Sequence, residues 1–140
     1  MPVVVVNARW QQFDVYIGRE RSYAGVAHRQ AYLRDNPLGR IAQEEGQKGY
    51  FGNPIHFGQK CEICGQKHLD TLEGRVALLA CFKRLFWRKI NTDVDFFTNC
   101  GLLVDPDLSL RLGCFCDPQP CHGHVYRDWG LAGCPFDRKS

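Results

Sequence analysis

Residues 113–124 read Gly113-Cys114-Phe115-Cys116-Asp117-Pro118-Gln119-Pro120-Cys121-His122-Gly123-His124 and carry three thiols and two imidazoles. A thiolate is a nucleophile, an imidazole moves protons near neutral pH, and both bind metals. The order of residues predicts a strand, a tight Pro-rich turn and a helix start. Such a helix start presents amide N–H groups without helical partners and the positive end of the helix dipole. It attracts a phosphate or carboxylate and favours a thiolate over a thiol. Cys121 and Cys116 are therefore candidate nucleophiles, and His122 and His124 candidate acids or bases. Two other readings stand beside this one. Cys114 and Cys116 could belong to the core with His122 capping the helix. Alternatively Cys116, Cys121, His122 and His124 could ligate zinc, although C-x4-C-H matches no common structural site.

A second segment, Cys61-Glu62-Ile63-Cys64-Gly65-Gln66-Lys67-His68, has the form C-x2-C-G-x2-H. The turn after C-x2-C points amides at two thiolates, a frequent half-site for structural zinc. His68 is the natural third ligand. The fourth is open between His56, close in sequence, and Cys100 or Cys134 from further away. Four protein ligands leave no open position, so this zinc would be structural. The plainer reading is a pair of surface thiols in a loop, against which a polar segment of this kind gains order from a metal.

The surroundings bound these chemistries. The chain of 140 residues is the size of one domain and can bury a core. With 44% hydrophobic and 24% charged residues it is not disordered as a whole. A net charge of +3 permits phosphate contacts without arguing for nucleic acid. The 8 cysteines are many, but they cluster in local motifs. The apolar run at residues 3–6 has no basic stretch before it and is too short for a signal-peptide core. No segment approaches the roughly 20 apolar residues that span a bilayer. A reduced, cytoplasmic protein is expected, with no membrane partner.

Several elements must hold the motifs. Residues 3–7 read as a buried β-branched strand, and residues 14–19 as a second strand ending at Gly18, the two forming a hairpin or flanking a connection. Residues 23–33 could hold a short helix, broken at Asn36-Pro37-Leu38-Gly39. Residues 41–48 are either helical or a loop. Phe51-Gly52-Asn53-Pro54-Ile55 is turn chemistry. The clearest helix follows, capped by Asp70 or Thr71, with Val76, Leu79, Ala80, Lys83, Leu85, Phe86 and Ile90 as its stripe and Cys81 as a core residue. Residues 95–103 are open between a helix end and a turn. Residues 108–116 read as a central strand, and residues 121–130 as a helix.

Three blocks, Val15-Tyr16-Ile17-Gly18-Arg19, Gly52-Asn53-Pro54 and Gly113 to Gly123, occur in an order that resembles the domain of unknown function 4326 family, found largely in phages and bacteria. The third block is the specific one. The likeness covers residues 3–19, 51–55 and 74–130. It implies a small Rossmann-like, three-layer α/β domain over residues 1–140 with the three blocks gathered at one site. Residues 20–50 and 56–72 then look like insertions, the second bringing the zinc knuckle. Where the family often has Asp after Cys-His-Gly, this chain has His124, which alters any role of that position. The gathered blocks suggest a nucleotide-like, phosphorylated small molecule. Arg19 would clamp the anion. Asn53 would read a sugar or base edge, Gly52 and Gly123 would let the ligand approach, and Cys121 or His122 would do any chemistry. Arg19 could instead pair with a carboxylate, and Asn53 could merely shape its turn.

Two function classes follow. One is an enzyme, or degenerate enzyme, acting on that small molecule. The other is a zinc-containing binding module that grips a host protein or single-stranded nucleic acid with Trp10, Phe51 and Trp129 beside Arg9, Arg19 and Arg21. If phage-encoded, the protein would work in the host cytoplasm.

Overall fold

The computed structural model describes residues 3–31, 38–115 and 121–137. Its centre is a parallel sheet of β1 (Val4–Asn7), β2 (Val15–Tyr16) and β3 (Arg111–Cys114), in the order β1-β3-β2. The register pairs Val4 with Arg111 and Asn7 with Cys114 on one side of β3, and Val15 with Leu112 on the other. β3 is thus the central strand, as its sequence predicts. Of the two arrangements open to the first strands, a connection is the one observed. Both run parallel to β3, and their apolar composition suits strands buried on both faces.

The period of two sorts side chains to two sides. Val15, Ile17, Leu112 and Cys114 enter the large core, whereas Val6, Phe13 and Tyr16 enter a smaller one with Val26. Gly113 allows the second packing, because a Cβ there would sit 2.6 Å from the Phe13 ring. The smaller side is covered by α1 (Glu20–Tyr23) and a 3-10 turn at Ala27–Arg29. These two short pieces stand where one helix over 23–33 is expected. The Asn36-Pro37 breaker lies outside the described residues. α2 (Gly39–Gln47) packs beside β2 and settles residues 41–48 as helical.

The large core is closed by α3 (Leu72–Thr92), α4 (Val94–Leu103) and α5 (His122–Leu131). Thr71 caps α3, its Oγ1 accepting from Gly74 N at 3.0 Å. The buried face of α3 runs through Leu78, Cys81, Phe82, Phe86 and Ile90. Phe86 and Ile90 of the expected stripe lie on this face, whereas Val76 is 55% exposed. The i, i+4 row of Phe82, Phe86 and Ile90 wins because Phe82 and Phe86 meet the Tyr126 ring of α5 at 6.1 and 5.1 Å. Asp93 starts α4, Oδ1 accepting from Phe96 N at 3.1 Å, so residues 95–103 are helix and not turn. Among the described helices none is long and apolar enough to cross a membrane.

Two of the three aromatics expected as a stacking platform are core residues. Phe51 is fully buried and Trp129 is 6% exposed, whereas Trp10 is 66% exposed.

One charged pair locks the sheet. The nearly buried Asp14 carboxylate accepts from Arg111 N at 2.7 Å, from Nε at 3.0 Å and from Nη2 at 3.0 Å. It binds the residue before β2 to the start of β3. Asp14→Ala leaves those donors short of an acceptor and is expected to cost about 2 kcal/mol. Urea unfolding checks it as a lower midpoint with an unchanged slope.

Candidate functional site

At the C-terminal ends of the strands three backbone segments meet. β2 continues through Ile17 to Arg19, the 52–55 turn packs beside it, and α5 begins opposite. The contact between the first two needs a glycine at 52, since a Cβ there would lie 2.8 Å from Gly18 O. The Arg19 side chain then staples the turn, Nε donating to Asn53 O at 2.9 Å and Nη2 to Ile55 O at 2.7 Å. Asn53 Oδ1 accepts from Ile55 N at 2.9 Å, so this buried side chain does shape its turn.

α5 starts at Cys121, whose sulphur accepts from Gly123 N at 3.4 Å and lies 2.9 Å from Cys114 Sγ at the end of β3. A Cβ at Gly123 would meet Ile17 Cδ1 at 2.8 Å and Val5 Cγ1 at 2.9 Å. Glycine there lets the helix start lie on the sheet. The buried His122 ring makes its Nε2 contact with Ile17 O at 2.5 Å. Burial pushes its pKa down to about 4, with Arg19 and His124 acting the same way against the Ile17 carbonyl. His122 is thus neutral near pH 7. Nε2 carries the proton, and Nδ1 faces Cys121 Sγ at 3.7 Å as an acceptor. A group this hard to protonate is a weak general base near pH 7.

Between these segments lies a pocket of about 270 Å³. Arg19, Asn53, Cys121 and His122, expected together from the sequence, all line it. So do residues that were not singled out for it: Arg9, Ser22, Arg75, and an apolar wall of Phe57, Leu78, Leu79 and Phe115. Arg9 lies over the Phe115 ring at 5.3 Å and Arg75 over the Phe57 ring at 5.4 Å. Arg75 also pairs with Asp70 at 2.9 Å. The signal for Arg75 was its place one turn past the α3 cap, and for Phe115 its place inside the Cys-His block.

Other expected residues fall elsewhere. Gly52 and Gly123 do not line the pocket; they make room for backbone. His124 points away from Cys121 and lines a larger groove of about 780 Å³ between α3 and α5, with Leu79, Trp87 and Trp129. The zinc set of Cys116, Cys121, His122 and His124 is not assembled among the described residues, and Cys116 lies outside them.

The knuckle does assemble. Cys61, Cys64, His68 and Cys81 bring their ligand atoms within 4.8 Å of one another, close enough to hold a metal ion. The fourth member is Cys81 of α3, expected only as a core residue, and not His56, Cys100 or Cys134. His56 lies instead near Arg19 and Arg21, whose charges, with slight burial, lower its pKa. Cys100 is fully buried, and burial raises its thiol. The loop is preformed for a cation. Gly65 at φ +78 closes the turn, its N donating to Cys61 O at 2.8 Å. Cys64 Sγ lies 3.5 Å from His68 Nε2. Burial opposes a thiolate at Cys61, but the amides of Cys64 and Ile63 outweigh it and lower its pKa. Burial, with the neighbouring Cys64 and Cys61 sulphurs, raises the Cys81 thiol.

A three-stranded parallel sheet with a basic, thiol-bearing cleft at its strand ends defines a small mixed α/β domain. The chain belongs to the family described as Domain of unknown function (DUF4326), which matches residues 5–130. No curated protein and no solved structure matches it.

Two tests follow. Cys81→Ser is expected to lose bound metal, whereas His56→Ala keeps it, as metal content per chain will read. For His122 the folded pKa of about 4 lies below the ordinary 6.5. The unfolded chain therefore binds the extra proton, and stability present above pH 6.5 is lost as the pH falls towards 4. The loss approaches about 3 kcal/mol. Unfolding free energies across that range, compared with His122→Gln, will show the slope in the native chain and its absence in the variant.

Proposed function

We propose that the pocket binds a nucleotide-like, phosphorylated small molecule, and that Cys121 performs any chemistry done on it. The observation carrying this reading is the lining of one cavity by three arginines, Asn53 and the α5 helix start together with Phe57 and Phe115, over whose rings Arg75 and Arg9 lie. Guanidinium groups and helix-start amides suit phosphate oxygens. The aromatic and leucine wall suits a base or other flat apolar group. A Rossmann-like relationship agrees with the parallel sheet and the position of the cleft at its strand ends. The reaction, if the protein is an enzyme, would use the Cys121 sulphur as nucleophile, steadied by neutral His122.

The metal cluster is read as structural zinc. Three sulphurs and one imidazole nitrogen form a soft donor set that zinc prefers, and four protein ligands leave no position for substrate. Zinc would join the 56–72 segment to α3. Free thiols in such a set fit a reducing compartment, so a cytoplasmic location is part of the proposal, in a bacterial host if the gene is a phage's.

A second reading, a surface for a host protein, has one observation in its favour. The α3–α5 groove is largely apolar, and beside it Val76 is 55% and Trp87 41% exposed. Stacking of single-stranded nucleic acid loses support with Phe51 and Trp129 in the core.

Thermal unfolding against a panel of nucleoside phosphates and phosphosugars tests the main reading. At least one member is expected to raise the melting temperature, and Arg9→Ala with Arg75→Ala to weaken its binding at least about tenfold, the loss of one charge-assisted hydrogen bond or more. A panel without any shift would overturn the reading.

A further inference from the structure

Cys114 and Cys121 are seven residues apart and approach from different elements, one from the end of the central strand and one from the cap of α5. Their sulphurs are 2.9 Å apart, against about 2.05 Å in a disulfide. The geometry points to a reversible disulfide between Cys114 and Cys121, formed by exchange with a low-molecular-weight disulfide that enters through the pocket. This holds whichever ligand the pocket takes.

The two thiols differ in access. Cys121 is 2% exposed and lines the pocket, so the pocket is the side from which a small oxidant would approach its sulphur. Cys114 is fully buried behind it and meets solvent through no path of its own. Gly123 N–H donates to the Cys121 sulphur, and His122 Nδ1 lies beside it at 3.7 Å. Cys121 is therefore the attacking group and Cys114 the resolving one. In the first step the Cys121 thiolate attacks one sulphur of R–S–S–R. A mixed disulfide forms, and one R–S⁻ leaves. In the second, the Cys114 sulphur attacks Cys121 Sγ, the protein disulfide forms, and the second R–S⁻ leaves. Each departing thiolate takes up one of the two thiol protons. The protein loses two hydrogens and two electrons, and the small disulfide becomes two thiols.

Closing the bond needs little motion. The Cys121 backbone is extended at φ −140 and ψ 145, outside the helix proper, so its side chain can turn without unwinding α5. The bond would withdraw the pocket's only described thiol and fix the start of α5 to β3, switching the nucleophile off until it is reduced. The metal-cluster sulphurs of Cys61, Cys64 and Cys81 form a separate group, and neither Cys114 nor Cys121 belongs to it.

The experiment treats the purified, metal-loaded chain with oxidised glutathione, blocks remaining thiols, and cleaves ahead of Asp117 so that Cys121 leaves on a different peptide from Cys114. The expected product is a linked pair of peptides, released by dithiothreitol and still formed by Cys116→Ser. In Cys114→Ser the reaction should stop at glutathione on Cys121, and in Cys121→Ser position 114 should remain unmodified. Unfolding curves and metal content of each variant confirm that it is folded. A native chain that keeps glutathione on Cys121, a link that disappears with Cys116→Ser, or an unmodified Cys121 would each overturn the assignment.

Discussion

A parallel strand ends with carbonyls that its neighbour no longer serves, and at the end of β2 that group is Ile17 O. Ile17 N is used by Gly113 O at 3.0 Å, but its carbonyl points past the sheet. His122 satisfies it. A buried acceptor left unmet costs about 1–3 kcal/mol, so the ring is held firmly. That one contact sets the tautomer of the imidazole, the angle at which α5 meets the sheet and the direction in which the Cys121 sulphur faces. Gly123 makes the contact possible, because a Cβ there would meet Ile17 and Val5 and hold the helix start away. The Arg19 staple then brings the 52–55 turn to the same edge, and the cavity is what remains between them.

The metal cluster and the cavity share a wall. Phe57 opens the 56–72 segment and Arg75, Leu78 and Leu79 lie on α3, all of them facing the pocket. Cys81 is on the same helix, next to Phe82 in the core. A cation held by Cys61, Cys64, His68 and Cys81 would thus tie a polar loop to the helix that gives the pocket Arg75, Leu78 and Leu79. The loop has few buried apolar groups of its own, chiefly Cys61 and the half-buried Ile63, so the metal would supply most of its order. In this arrangement a structural ion held at the cluster would steady the apolar wall without itself lining the pocket.

Much of this was legible in the sequence wherever one residue's chemistry decides a local conformation. The central strand, the Thr71 cap and the Cys121 helix start follow from turn residues and strand patterns, whereas the meeting of Arg19, Asn53 and Cys121 is what the family resemblance implies. What failed depended on three-dimensional choice. Cys81 looked like core because it is core, at 5% exposure, and only the fold shows that the same sulphur faces the knuckle. Phe86 and Ile90 of the expected α3 stripe are buried, but apolar residues circle much of that helix, and packing against Tyr126 selects the rest of the face. Phe51 and Trp129 form a platform only in the second function class; aromatics at such positions are more often core, and the fold buries both. His124 follows the pocket-lining His122 by two positions, about a 200° turn of the helix, and so faces the groove.

The account rests on Arg19, Asn53 and the α5 start sharing one anion-binding cavity. A ¹H–¹⁵N titration of the metal-loaded chain with a nucleoside monophosphate tests this most directly, because the amides of His122 and Gly123, the Asn53 side-chain amide and Arg19 Nε each give their own signal. The account predicts that these signals move together along one saturating curve. Shifts confined to the α3–α5 groove around Trp87, or movement of Arg19 without the α5 amides, would contradict it.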